Sequence, residues 1–74
     1  MKFMIKITWI DETVCYAGVG IKETTQEPAR ASHFGIFEAY NRLEIWKNHP
    51  YVKIASLIIQ MTEIDQIIDE LVLL

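Results

Sequence analysis

Alternating apolar and polar residues open the chain and predict a half-buried β-strand from Lys2 to Ile10. One side of this strand carries Phe3, Ile5, Ile7 and Trp9, and the other carries Lys2, Met4, Lys6 and Thr8. A second stretch, from Thr13 to Lys22, is rich in β-branched and aromatic residues. Asp11-Glu12 separates the two stretches, so we expect a hairpin closed by a two-residue loop.

The length of that loop sets the expected register of the hairpin. Two loop residues pair Trp9 with Val14, Ile7 with Tyr16, Ile5 with Gly18 and Phe3 with Gly20. Val14 and Tyr16 then join the apolar face of the first strand, while Cys15 and Ala17 lie on the opposite face. Glycines opposite large side chains favour close packing over bare backbone, with contact to a ligand as the alternative.

The spacing of apolar residues becomes helical between Ser32 and Asn48. The polar stretch before it, Lys22 to Ala31, contains Pro28 and predicts a loop, with Thr25 or Ser32 as the N-cap. Asn48-His49-Pro50 should end the helix, because a residue that precedes proline is disfavoured in the α region. We expect His49 to contact the last carbonyls of the helix. The predicted core stripe consists of Ile36, Ala39, Tyr40, Leu43 and Trp46.

Other apolar residues of this helix lie away from the core stripe. Phe34 and Ile45 fall on the opposite side of the helix, and Phe37 falls on its flank. A neighbouring helix or strand would cover them in one interpretation, and a partner protein or a second subunit would cover them in the other. Because aromatic and arginine side chains dominate binding surfaces, the second interpretation assigns an interface to Phe34, Phe37, Asn41, Arg42, Ile45 and Trp46.

The remaining segment predicts a third strand, Tyr51 to Met61, whose centre is apolar on both faces. Thr62 to Asp65 has the character of a helix start, with a capping threonine and acidic residues in the first turn. Apolar residues then follow at helical spacing, so we predict a second helix over residues 62–74. A fourth strand from Ile67 to Leu74 is the alternative, because several of its residues are β-branched.

These elements predict the order ββαβα and an α+β fold within a single compact domain, residues 1–74. The hairpin and the crossover through the helix place the third strand beside the first, which gives a three-stranded antiparallel sheet of order 2-1-3. The first helix would cover one sheet face, and the last helix or another subunit would cover the other. The fold would therefore have two layers, or a sheet sandwiched between helices.

Composition favours a partner for this chain. It has 74 residues, of which 51% are hydrophobic, and a chain of this size buries only about 60% of the surface that it exposes when unfolded. The net charge of −3 makes nucleic acid an unfavourable partner. The sequence shows neither a signal peptide nor an apolar run of the roughly 20 residues that cross a bilayer. We therefore expect a cytoplasmic protein that does not associate with membranes.

Chemically distinctive residues are few. Cys15 is the only cysteine, so it cannot form an internal disulfide, and a packed thiol is expected. His33 and His49 flank opposite ends of the predicted helix and cannot share a metal site within one chain. We therefore assign no catalytic, metal or cofactor residue. The carboxylates near the C-terminus predict either a solvated helix face or an acidic patch for a basic partner: Glu63, Asp65, Asp69 and Glu70.

These features favour a small, non-catalytic protein-binding module that forms a homodimer or other homo-oligomer. In general character the chain resembles the small regulatory and inhibitory proteins encoded by phages and mobile elements, which implies a regulator or inhibitor that acts through a protein interface. The alternative is a small-ligand binder with its pocket at the sheet or at a subunit interface. That pocket would lie near Trp9, Tyr16, Gly18 and Gly20.

Overall fold

A computed structural model describes residues 2–60 and 65–67. One α-helix packs on an antiparallel sheet with the strand order β3-β2-β1-β4-β5. In chain order the elements are β1 (Phe3–Trp9), β2 (Val14–Ala17), β3 (Thr24–Thr25), a 3₁₀ turn (Pro28–Arg30), α1 (Ile36–Lys47), β4 (Val52–Gln60) and β5 (Asp65–Ile67). The predicted α+β class is confirmed, and so is the antiparallel arrangement of the three predicted strands, which are β2, β1 and β4.

Two details of the predicted topology are wrong. The predicted loop before the helix contains the short strand β3, which pairs with β2 through Tyr16 and Thr25 at one sheet edge. At the other edge, residues 65–67 form strand β5 against β4, whereas the sequence predicts helix there. The order ββαβα is therefore wrong at residues 65–67. Residues 62–64 and 68–74, which complete the predicted second helix and its alternative strand, lie outside the described residues.

Strands β1 and β4 form the centre of the sheet. They pair antiparallel from Phe3 with Ile59 to Thr8 with Ile54, and a bulge then shifts the register at Trp9. Both strands carry apolar residues on both faces, and Ile5, Ile7 and Leu57 are fully buried. A central pair with apolar residues on both faces is typical of strands that are covered on both sides.

The β1–β2 hairpin has a longer loop than predicted, and its register is shifted by one residue. The amide of Trp9 donates to the carbonyl of Thr13 at 2.9 Å, so Ile10, Asp11 and Glu12 form a three-residue loop. Glu12 adopts φ 74°, as expected of the left-handed residue that follows a type I turn in such loops. Asp11 accepts hydrogen bonds from the hydroxyl and amide of Thr13, which lower the pKa of its carboxyl group.

The one-residue shift exchanges the faces of β2, because side chains alternate along a strand. Ile7 pairs with Cys15, and Lys6 pairs with Tyr16. Cys15 and Ala17 therefore belong to the core under α1, where the sequence places Val14 and Tyr16. Tyr16 instead packs on the opposite face, in a smaller cluster with Met4, Ala31 and Ile58.

Helix α1 is shorter than predicted, because residues 32–34 extend the sheet. Ser32 donates to the carbonyl of Ala17, and Phe34 exchanges two backbone hydrogen bonds with Phe3 at 2.9 and 2.8 Å. The helix begins at Ile36 after the N-cap Gly35, which differs from the predicted caps Thr25 and Ser32. It ends at Lys47, two residues before His49-Pro50, as the proline predicts.

The main core lies between α1 and one face of the sheet. Ala39, Leu43 and Trp46 are its buried helix residues, and Tyr40 packs at its margin, while Ile36 of the predicted stripe is more exposed. The sheet contributes Phe3, Ile5, Ile7, Cys15, Ala17, Ala55 and Leu57, with Trp9 packed against them. Within the part of the chain that the structure describes, no helix is long and apolar enough to cross a membrane.

Candidate functional site

The outward side of α1 carries a row of exposed residues spaced four apart: Phe37, Asn41 and Ile45. We call this row the outer ridge. The side chain of Phe37 is 84% exposed and that of Ile45 is 44% exposed, and Asn41 is exposed between them. Residues four apart on a helix are neighbours along one ridge. Two of its three positions therefore present large apolar side chains to solvent.

The other three residues of the predicted interface have different environments. Phe34 and Trp46 are 5% and 4% exposed and belong to the core under α1. Arg42 is half-buried, and its guanidinium group lies 4.9 Å from the centre of the Phe34 ring. Of the residues predicted to form the interface, the exposed ones are therefore those of the outer ridge.

Arg42 connects the helix to the loop of residues 18–23. Its Nη2 atom donates to the carbonyl of Val19 at 3.0 Å and to the carboxylate of Glu38 at 3.3 Å. The contact with Val19 joins two segments that are 23 residues apart in sequence. The loop itself is closed by Glu23, whose carboxylate accepts the amide of Gly20 at 3.1 Å.

Gly18 gives this loop a close contact that the sequence does not predict. A Cβ atom at Gly18 would lie 2.8 Å from Cγ of Glu23, so the Glu23 side chain packs directly on the Gly18 backbone. Neither a bulky strand residue nor a helix occupies the space that the glycine provides. Tyr16 lies on the far face of the sheet. Of the four residues predicted to surround a ligand, Trp9 alone lines the groove described next.

A groove of about 240 Å³ lies beside the C-terminal part of α1. It is lined by Trp9, Ile21, Lys22, Thr24, Ile45, Trp46 and His49. The lining comes from the first strand, the loop with β3, and the end of the helix, which are distant in sequence. We call it the tryptophan groove. Ile45 belongs both to this groove and to the outer ridge, so the two surfaces adjoin.

Aromatic rings form one wall of the tryptophan groove. Trp9 meets Trp46 edge to face, with ring centroids 5.9 Å apart and an interplanar angle of 88°. His49 lies 5.3 Å from Trp9 and 5.8 Å from Trp46, centroid to centroid. Edge-to-face pairs at these separations are favourable beyond their area of contact. The wall is therefore a packed unit that one substitution would disturb as a whole.

His49 makes the predicted contact with the last carbonyls of the helix through its backbone, whose amide donates to the carbonyl of Trp46 at 3.1 Å. Its Nδ1 atom accepts the backbone amide of Tyr51 at 3.1 Å, so the neutral ring carries its proton on Nε2. The Asn48 side chain makes a second contact with the end of the helix, in which it donates to the carbonyl of Glu44 at 2.9 Å. Sequence reasoning missed His49, Ile21 and Lys22 as groove residues, because their proximity depends on the path of the loop.

The indole nitrogens of the two tryptophans differ in their partners. Nε1 of Trp9 lies 3.1 Å from Sγ of Cys15, toward which it donates. Nε1 of Trp46 is buried and has no hydrogen-bond partner among the described residues. A buried donor without a partner has a free-energy cost. The ring of Trp46 lines the groove, but this nitrogen atom is itself buried.

The predicted acidic patch falls largely outside the described part of the chain. Asp65 lies in β5, whereas Glu63, Asp69 and Glu70 lie outside the described residues. Over residues 2–60 and 65–67, no three histidine, cysteine or acidic side chains lie close enough together to hold a metal ion. The acidic patch stays a prediction of the sequence.

Comparison with known proteins gives no relative from which a function can be transferred. The chain matches no family model, no curated protein and no solved structure. The outer ridge and the tryptophan groove are the two surfaces of the described chain that are suited to binding.

Proposed function

We propose that this protein is a small non-catalytic binding module that self-associates through the outer ridge and acts as a regulator or inhibitor through a protein interface. The observation that carries the proposal is the 84% exposure of Phe37 on a ridge that also presents Ile45. Exposed aromatic and large aliphatic side chains are the usual anchors of protein interfaces. The amide of Asn41 between them supplies both a donor and an acceptor.

The spacing of the ridge favours a second copy of the chain as the occupant. Phe37 and Ile45 are each four residues from Asn41. A twofold axis at Asn41 would therefore lay Phe37 of each copy on Ile45 of the other, with the two helices antiparallel. An isologous interface requires this kind of reciprocity. Ridges of residues four apart also interdigitate in the commonest class of helix packing, at a crossing angle of about −50°.

The local charges are compatible with this arrangement. Glu38 and Arg42, which flank the ridge, already form an ion pair with each other at 3.3 Å. A second copy would therefore meet a neutralised pair on this flank of the ridge. Two Asn41 amides at the axis would bond to each other, which is how a polar residue in an apolar helix interface selects one orientation.

The expected affinity is low. Complete burial of an exposed large apolar side chain contributes about 1.5–3 kcal/mol, and Ile45 is already more than half buried, so the four side chains together contribute about 4–8 kcal/mol. Association costs about 4 kcal/mol or more in lost freedom of motion. At the upper end, the difference of about 4 kcal/mol and about 1 kcal/mol from the Asn41 contact together correspond to a dissociation constant of about 200 µM.

The first test is the oligomeric state of Phe37→Asp, measured by sedimentation equilibrium. The wild-type protein should be mainly dimeric at about 1 mM, and the variant should be a monomer, because a charge would have to be buried at the interface. Val19→Asp is the matched control: Val19 is 74% exposed but lies outside the ridge. It should leave the dimer unchanged. Far-ultraviolet circular dichroism should be the same for all three proteins.

A wild-type protein that stays monomeric at about 1 mM would contradict the proposal. A cross-link then tests the position of the axis. Asn41→Cys should form a disulfide between copies under mild oxidation, because a residue at a twofold axis lies beside its own counterpart. Lys47→Cys, on the opposite flank of the helix, should not. Cys15 is buried, and a Cys15→Ser background removes it from the assay.

A further inference from the structure

The charge of the tryptophan groove is positive, whereas the net charge of the chain as a whole is negative. The chain contains 10 acidic residues and 7 lysines and arginines. The groove lining contains Lys22 and no carboxylate among the described residues. A positive side chain in a partly enclosed apolar surface favours an anion, because low-dielectric walls strengthen its field.

The other polar groups of the lining are also suited to an acceptor. His49 carries its proton on Nε2 when neutral, because Nδ1 already accepts the amide of Tyr51. Trp46 is 4% exposed and its Nε1 donor has no partner among the described residues. The hydroxyl of Thr24 can also donate. An occupant that supplies acceptors would complement the ammonium group of Lys22, Nε2 of His49 and the hydroxyl of Thr24.

The shape and size of the groove restrict the occupant further. Its wall is formed by the rings of Trp9, Trp46 and His49, with Ile21 and Ile45 also in the lining. Planar molecules gain most from contact with such rings. The volume of about 240 Å³ is smaller than the 300 Å³ or more of pockets that hold drug-sized ligands. A molecule with one ring is therefore the appropriate size.

We propose that the tryptophan groove binds a small, single-ring aromatic carboxylate. The ring of the ligand lies against the tryptophans and the aliphatic side chains, and its carboxylate accepts from the ammonium group of Lys22 and from Nε2 of His49. The site adjoins the outer ridge at Ile45, but Lys22 and His49, which bind the carboxylate, do not belong to the ridge.

Benzoate is the probe, and the two tryptophans report on its binding. They are the only tryptophans of the chain, and both line the groove. Titration with benzoate should shift the two indole N–H resonances in ¹H–¹⁵N spectra and saturate with a dissociation constant on the order of 1 mM. Benzamide, which has the same ring without the charge, should bind about tenfold more weakly.

Lys22→Gln tests the role of charge. This exposed loop residue can be replaced without loss of core packing. The variant should bind benzoate about fivefold or more weakly and should bind benzamide as the wild type does. Lys47→Gln is the matched control, since Lys47 is exposed on α1 and does not line the groove. It should leave both affinities unchanged.

Three results would overturn the proposal. The first is the absence of any shift of the indole resonances up to about 10 mM benzoate. The second is equal affinity for benzoate and benzamide, and the third is unchanged benzoate binding in Lys22→Gln. The titration is repeated with Phe37→Asp, which should retain the site. Failure of self-association and failure of this proposal are therefore observed separately.

Discussion

At the scale of single residues, Glu12 adopts a backbone conformation that is unfavourable for a residue with a side chain. Its φ of 74° is in the left-handed region, which costs a residue with a side chain about 1 kcal/mol. Its carboxylate pairs with Lys53 of β4 at 2.6 Å, but an exposed ion pair of this kind contributes little. The hairpin therefore carries a local strain that the ion pair offsets only in part.

Replacement of Glu12 by glycine should relieve this strain. Glu12→Gly and Glu12→Ala both remove the ion pair with Lys53, so their comparison isolates the backbone conformation. We expect Glu12→Gly to be more stable than Glu12→Ala by about 1 kcal/mol, measured by urea unfolding. Equal stability of the two variants would show that the loop does not retain the left-handed conformation in solution.

The same loop explains why the residue-level prediction of the sheet faces failed. Asp11-Glu12 indicated a turn correctly, but nothing local in the sequence distinguishes a two-residue loop from one that includes Ile10. Because side chains alternate along a strand, this single residue moves Cys15 from the outer face into the core. The outcome depends on which side chains pack best under the helix, and that is a tertiary property.

At the scale of elements, Arg42 joins α1 to the loop of residues 18–23. Its guanidinium group lies over the Phe34 ring and donates to the carbonyl of Val19. The planar guanidinium group can stack on Phe34 and donate to Val19 at the same time, whereas a lysine ammonium group is not planar and cannot stack in this way. The loop carries Ile21 and Lys22, so this contact positions one side of the tryptophan groove.

Arg42→Lys should therefore lower the stability of the protein and also increase the mobility of the loop of residues 18–23. We expect a loss of about 1–2 kcal/mol in the free energy of unfolding, from the hydrogen bond and the stacking on Phe34. Hydrogen exchange of the amides in residues 18–23 should become faster. Arg30→Lys is the control, because Arg30 is exposed and pairs with its near neighbour Glu27. It should change stability by less than about 0.5 kcal/mol. Unchanged exchange in Arg42→Lys would contradict the positioning role.

Helix α1 itself was largely predictable. Its end follows from Pro50 and its core residues from helical periodicity, which are local properties. Its start was not, because Phe34 pairs with the backbone of Phe3 instead of continuing the helix. That pairing buries Phe34, which the sequence assigned to an interface. The pairing of Phe34 with Phe3 thus determines where the helix begins, and it also removes Phe34 from the exposed surface.

At the scale of the whole molecule, one helix covers one face of the sheet, and the outer side of that helix keeps Phe37 and Ile45 exposed. If self-association covers them, folding and association are linked, because a partner that binds only the folded state stabilises it. The stability of the protein should then depend on its concentration.

Thermal unfolding tests this link. The Tm of the wild-type protein should rise by about 3–5 °C for each tenfold increase in concentration above the dissociation constant. The Tm of Phe37→Asp should not depend on concentration, and Val19→Asp should behave as the wild type does. The same Tm for the wild-type protein at all concentrations would contradict self-association, whatever the structure of the outer ridge.

The sequence by itself determined the elements whose causes are local. Alternation marked β1, proline marked the end of α1, and the apolar run after it marked β4, so the α+β class and the order of these strands followed. Only the tertiary structure decided which face β2 presents, that Phe34 is internal, and that Trp9, Lys22 and His49 meet in one groove. These depend on a register set by one loop residue and on contacts between distant segments, for which a local pattern carries no signal.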